Sequence, residues 1–126
     1  MIASIMIDLP VNHPSTPDVS SDVAEFLRLM ADSNRRRIYL RLLEGETCNC
    51  ELVDLLGLPQ NLISHHLRQL RRSGLVQARR DERDARWIYY SVDRTALQEI
   101  HRSLTEVLAP ERVGQRTPLC QPGGDP

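Results

Sequence analysis

The segment from Gly57 to Gly74 limits what this chain can fold into more than any other part of it. Between them, Pro59 to Ser73 holds no acidic residue and no glycine, and Ile63, Leu67 and Leu70 recur at i, i+4 and i+7. That recurrence is one face of an α-helix. A proline opening the segment costs no hydrogen bond there, and Gly74 suits its end. A second stripe, Asn61, Ser64, His65, Arg68 and Arg72, is wholly polar, with Gln60 at its N-terminal end. The helix therefore has one face to bury and one rich in donors, acceptors and positive charge.

The surrounding pattern gives that helix a setting. A shorter helix from about Cys48 to Leu56, with Leu52, Leu55 and Leu56 inward, ends at Gly57-Leu58. Two helices joined by a tight glycine-containing turn make a helix-turn-helix. Upstream, one helix begins near Ser20–Ser21 and carries Val23, Leu27 and Met30 inward. Another follows Asp32–Ser33, carries Ile38, Leu42 and Leu43, and stops at Glu44-Gly45. Downstream the period shortens. Leu75 to Arg80 and Arg86 to Val92 read as strands around the polar turn Asp81 to Ala85. A last helix starts at Asp93 and carries Leu97, Ile100, Leu104, Val107 and Leu108.

The order is four helices, a hairpin and a helix. This predicts an α+β fold, mainly α: a winged helix-turn-helix with a two-stranded β-hairpin as its wing. Residues 1–18, with three prolines, read as a flexible arm, 19–109 as the folded domain, and 110–126 as a loose tail carrying Cys120.

Charge supports a polyanionic partner for the middle of the chain. The whole chain carries a net −1, yet residues 34–94 carry +4 and the rest −5. Gln and Asn can bond bidentately to adenine, Arg to guanine, and Ser or His to bases or phosphates. Gln60, Asn61, Ser64, His65, Arg68 and Arg72 are thus candidate contacts in a major groove. Arg79, Arg80, Arg83 and Arg86 surround the hairpin, where they can meet phosphates or a minor groove. A solvated basic helix face and a charged, soluble turn are the plainer alternatives. No apolar run is long enough to span a membrane, and the apolar start lacks a basic lead. A cytoplasmic protein is expected. One short domain without a glycine-rich cofactor loop, a nucleophile elbow or a spare acid/base pair is not expected to be an enzyme.

At this point the sequence resembles a family. Gly57-Leu58-Pro59-Gln60-Asn61-Leu62-Ile63-Ser64-His65-His66-Leu67, followed by Leu70-Arg71-Arg72-Ser73-Gly74-Leu75-Val76, is similar to the recognition segment of ArsR/SmtB-type metalloregulatory repressors. Ala31 to Ile38 resembles that family's second-helix opening, and Trp87-Ile88-Tyr89-Tyr90-Ser91 its second wing strand. The resemblance spans roughly residues 21–108. It implies a homodimer paired through the first and last helices, bound to double-stranded operator DNA.

The three cysteines fit neither a secretory context nor a complete set of disulfide pairs. Thr47 reads as an N-cap that leaves Cys48 and Cys50 in a first helical turn, where orphan N–H groups favour thiolate. Soft thiolates prefer soft or borderline metals. Residues i and i+2 lie about 200° apart on a helix, so one ion can meet both only if that turn distorts. Thr47-Cys48-Asn49-Cys50-Glu51-Leu52 resembles the family's Cys-Val-Cys-Asp-type motif. That likeness implies an inducer such as trivalent arsenic or antimony, or cadmium or lead, with no cofactor required. Cys120 is the candidate third sulfur. It can also be incidental, and the pair can instead sense thiol oxidation or no ligand at all. The family's other site, on the last helix, is expected to be absent, since Thr95 and Glu106 stand where histidines are needed.

Overall fold

The computed structural model describes residues 20–114, 116–120 and 122–123. Five α-helices lie in it: α1 (Ser21–Ala31), α2 (Ser33–Leu42), α3 (Asn49–Leu56), α4 (Gln60–Arg72) and α5 (Arg94–Leu108). Three strands, β1 (Thr47–Cys48), β2 (Val76–Arg80) and β3 (Ile88–Val92), form an antiparallel sheet in the order β1-β3-β2. A short 3-10 turn follows over Pro110–Arg112. The winged helix-turn-helix is present, with a third strand that the sequence pattern did not announce. The proposed arm, 1–18, lies outside the described residues.

Local chemistry accounts for the helix ends. Ser20 Oγ accepts from the Val23 N–H, Asp32 Oδ1 from Arg35, and Asp93 Oδ1 from Ala96. Each side chain satisfies a donor that the first helical turn leaves without a partner. Gly57 ends α3 in the left-handed region at φ 68°, which no other residue adopts as cheaply. Pro59 sits at the N-cap of α4 rather than inside it.

The core is built around the apolar stripe of α4. Ile63, Leu67 and Leu70 are buried, together with Val23, Leu29, Ile38, Leu42, Leu52, Leu75 and Ile100 from the surrounding elements. On α1 the inward set differs from the expected one. Leu29 is buried and Phe26 packs on the core, whereas Leu27 is 51% exposed. Leu43 and Leu55 are also exposed, because α2 ends at Leu42 and α3 turns only Leu52 fully inward.

A polar node ties α4 to the helices beneath it. Arg35 is buried, donates through Nε to the Leu29 carbonyl at 2.8 Å, and reaches Gln69 Oε1 on α4. A buried guanidinium needs such partners to offset its lost hydration. The recognition helix is thus held by both packing and hydrogen bonds.

Candidate nucleic-acid interface and thiol pair

The polar stripe of α4 faces outward as its spacing required. Gln60, Asn61, His65, Arg68 and Arg72 are exposed, while His66, one position from His65, is buried. Ser64 departs from the stripe. It is half-buried, and its Oγ accepts a 2.8 Å hydrogen bond from Asn49 Nδ2 on α3. Among the described residues Arg68 and Arg72 form no ion pair, so their charge faces outward unneutralised.

The wing treats its arginines differently. Arg79 forks onto the Glu46 carboxylate at 2.8 Å for both nitrogens and lies over the Tyr89 ring. Arg86 pairs with Asp84, and Arg80 donates to the Ala85 carbonyl. Hydrogen bonds from Arg79 and Arg86 hold the Glu46 and Asp84 carboxyls below the usual carboxylate range. Asp81 Oδ2 accepts from the Arg83 and Asp84 N–H groups, each at 2.9 Å, so this acidic residue shapes the hairpin turn. The four wing arginines do cluster on this hairpin, but only Arg83 has no side-chain ion pair or carbonyl partner among the described residues.

The thiol region requires a correction. Thr47 is not the N-cap. It is buried in β1 opposite Tyr90, and its hydroxyl donates to Glu51. Cys48, opposite Tyr89, takes the N-cap position in an extended conformation, and only Cys50 lies in the first turn of α3. The separation expected for two cysteines on one helix therefore does not apply. Cys48 is half-buried and Cys50 exposed. Both line a cleft of about 250 Å³ with Asn49, with Gln60 and Ser64 of α4, and with Arg86 and Trp87 of the wing.

Paired sulfur donors suit a thiophilic ion. A complete three-donor set is another matter. Among the described residues no group of three or more His, Cys, Asp or Glu side chains comes together, so one chain does not bring Cys120 to the pair. Cys120 is exposed in the tail. On α5, Asp93 is engaged in capping.

Sequence reasoning missed β1, the Asn49–Ser64 bond and the Glu46–Arg79 fork. Only the Asn49 contact had a visible signal: an amide where the resembling motif has valine.

Residues 32–78, which hold α2, the thiol pair, α4 and the start of the wing, match the model of the bacterial regulatory proteins of the arsR family. A transcriptional repressor SmtB homolog from Synechocystis is 32% identical over 91 residues, covering 72% of this chain and 67% of that protein. The chain belongs to the ArsR family. The arsenic resistance regulator ArsR1 of Pseudomonas putida is 44% identical over 64 residues, but this match spans only about half of each protein, 50% and 48%. HlyU from Vibrio cholerae shares the fold at a TM-score of 0.58 with 30% identity, covering 74% of this chain and 98% of HlyU. ArsR-family proteins are regulators rather than enzymes. Helices α3 and α4, whose outward stripe is described above, lie within the segment matched to their helix-turn-helix. Among the described residues no helix is long and apolar enough to cross a membrane.

Proposed function

We propose that this ArsR-family protein is a transcriptional repressor that binds operator DNA as a homodimer and is released when a thiophilic metalloid or metal binds Cys48 and Cys50. The observation that carries this reading is the shared cleft. The two cysteines line the same cleft as the N-terminal end of α4 and, from the wing, the end of the hairpin loop and β3. A ligand there touches both elements that would meet DNA. Relatives named for arsenic resistance and for cadmium resistance make arsenite, antimonite and cadmium the first inducers to test, with lead beside them.

Dimerisation through α1 and α5 agrees with apolar side chains left outside on those helices. Leu27, Val107 and Leu108 are 51%, 42% and 66% exposed. One recognition helix also reads too few base pairs for useful specificity, so two half-sites are expected. A second chain could bring its own tail to the thiol pair, which gives Cys120 a role that one chain does not supply.

Fluorescence anisotropy on a labelled operator, titrated with arsenite, antimonite, cadmium, lead and zinc, tests the reading. Linkage requires DNA to weaken inducer binding by the factor with which inducer weakens DNA binding. A hundredfold release corresponds to about 2.7 kcal/mol. Cys48→Ser and Cys50→Ser should still bind DNA but ignore the inducer. Arsenite release that survives loss of both thiols overturns the site, and release by peroxide alone makes the pair an oxidation sensor.

A further inference from the structure

We infer that Asn49 is a positioning residue, aiming the Ser64 hydroxyl at DNA and making that aim depend on the state of the two thiols beside it. The inference deepens the repressor reading and rests on it for the role of the thiols.

Three observations carry it. Asn49 Nδ2 donates to Ser64 Oγ at 2.8 Å, across from the first turn of α3 to the outward stripe of α4. A hydroxyl has one proton to give. With its oxygen engaged by the Asn49 amide, the Ser64 proton is left to be donated elsewhere, and Ser64 lies beside exposed Gln60, Asn61 and His65. Second, Asn49 stands between Cys48 and Cys50 in the chain, and all three line one cleft with Ser64. A ligand held by both flanking sulfurs is anchored on either side of the residue that carries the amide, so its arrival bears directly on the Asn49 side chain.

Third, the contact is poised rather than locked. Asn49 Oδ1 is buried with no hydrogen-bond partner among the described residues, so half of the amide contributes nothing to holding the side chain in place. Such a group loses little when it swings toward water or a ligand. β1 adds a route to the wing. Cys48 pairs with Tyr89 of β3, which pairs in turn with Arg79 of β2. A valine at position 49 would fill the same space without reaching Ser64.

The test is a double-mutant cycle on DNA affinity, read with and without arsenite. The probe is a labelled duplex enriched by the wild-type protein from a random-sequence pool. Asn49→Val should weaken binding about three- to tenfold, the range of one neutral hydrogen bond. In a Ser64→Ala background the same change should do nothing, because the residue it positions is gone. Asn49→Asp, whose carboxylate would take the Ser64 proton for itself and add a negative charge there, should weaken binding more than Asn49→Val. Thermal melts on every variant separate loss of aim from loss of fold. In the arsenite arm, Asn49→Val should take up arsenite as the wild type does, followed by thiolate–arsenic absorbance. Its ratio of DNA affinities without and with arsenite should nonetheless fall by the same factor of about three to ten.

Additive losses in the cycle overturn the positioning role. An undiminished arsenite response in Asn49→Val overturns the dependence on the thiols. A wild-type protein that never takes up arsenite refutes the inducer reading instead, and the cycle alone then decides whether Asn49 aims Ser64.

Discussion

Helix α4 and the wing both carry arginines of the proposed DNA interface, but they hold them by different physics. Arg68 and Arg72 project from a helix whose opposite face, Ile63, Leu67 and Leu70, is buried in the core. Their positions follow from packing, and no carboxylate pairs them among the described residues. Arg79 and Arg86 are held by Glu46 and Asp84 on the surface, with the Arg86 side chain 89% exposed. To contact phosphate, these two must exchange one anion for another. Helix α4 is therefore the fixed element of the interface, and the wing is an adjustable one whose contribution is partly neutralised within the protein.

The sharpest way to break that contrast is through stability. Leu67→Ala removes a side chain that is 1% exposed and should cost about 2–5 kcal/mol. Arg86→Ala deletes one member of an exposed, solvent-screened pair and should cost far less. Urea unfolding measures both, and similar losses would mean that the two regions are not held as differently as they look. DNA affinity comes next. Arg68→Ala should cost about 1–3 kcal/mol, the usual weight of a lost base contact. Arg86→Ala should cost less, since the wild-type side chain must first leave Asp84. The reverse order in anisotropy titrations would make the wing the principal reader.

Much of this contrast was legible in the sequence. Helical spacing placed Ile63, Leu67 and Leu70 inside and Arg68 and Arg72 outside, because a 3.6-residue period assigns faces without knowledge of the rest of the chain. The order of helices, hairpin and helix was legible for the same reason. Contacts between distant segments were not. Glu46 lies 33 residues from Arg79 and Asn49 lies 15 from Ser64, and no local periodicity encodes either separation. β1 was hidden because a two-residue strand is shorter than any alternation that could reveal it. The placement of Thr47 as a cap failed because α3 begins one residue later than expected, at Asn49, which leaves Thr47 in the strand opposite Tyr90 and Cys48 at the cap. Cys120 was named from donor chemistry and the reach of the tail, and among the described residues of one chain it does not join the pair.

A smaller effect tests the adjustable wing directly. Glu46→Gln removes the charge that holds Arg79, while Arg79 keeps its place over Tyr89. DNA affinity should rise slightly at low salt, since an exposed ion pair is weak, and the gain should fade as salt screens the freed guanidinium. Weaker DNA binding in this variant would show that Glu46 orients Arg79 for its contact instead of competing for it.

The smallest expected effect lies on the buried side of α4, at His66. Its ring is 5% exposed, and Nδ1 has no hydrogen-bond partner among the described residues. Burial pushes its pKa below the ordinary 6.5, Asp32 at the start of α2 pulls it back up, and Arg35 and His65 push it down again. The Asp32 carboxylate is 3.9 Å away, too far to accept a good hydrogen bond from the ring, so burial prevails. The folded protein thus takes up this proton at lower pH than the unfolded chain does. Above about pH 6.5 both states are neutral at this residue and its contribution is fully present. As pH falls from there through the folded value, the unfolded chain is protonated first and stability declines. The carboxylates of Glu25, Asp32, Glu46 and Asp84, all held below their ordinary values, act in a separate and more acidic window. A shallow fall of the thermal midpoint between about pH 6.5 and pH 5 is therefore expected of the wild type and not of His66→Gln. A midpoint that instead rises over that interval in the wild type alone would mean that attraction to Asp32 outweighs burial, and that α4 is held from beneath by an ion pair.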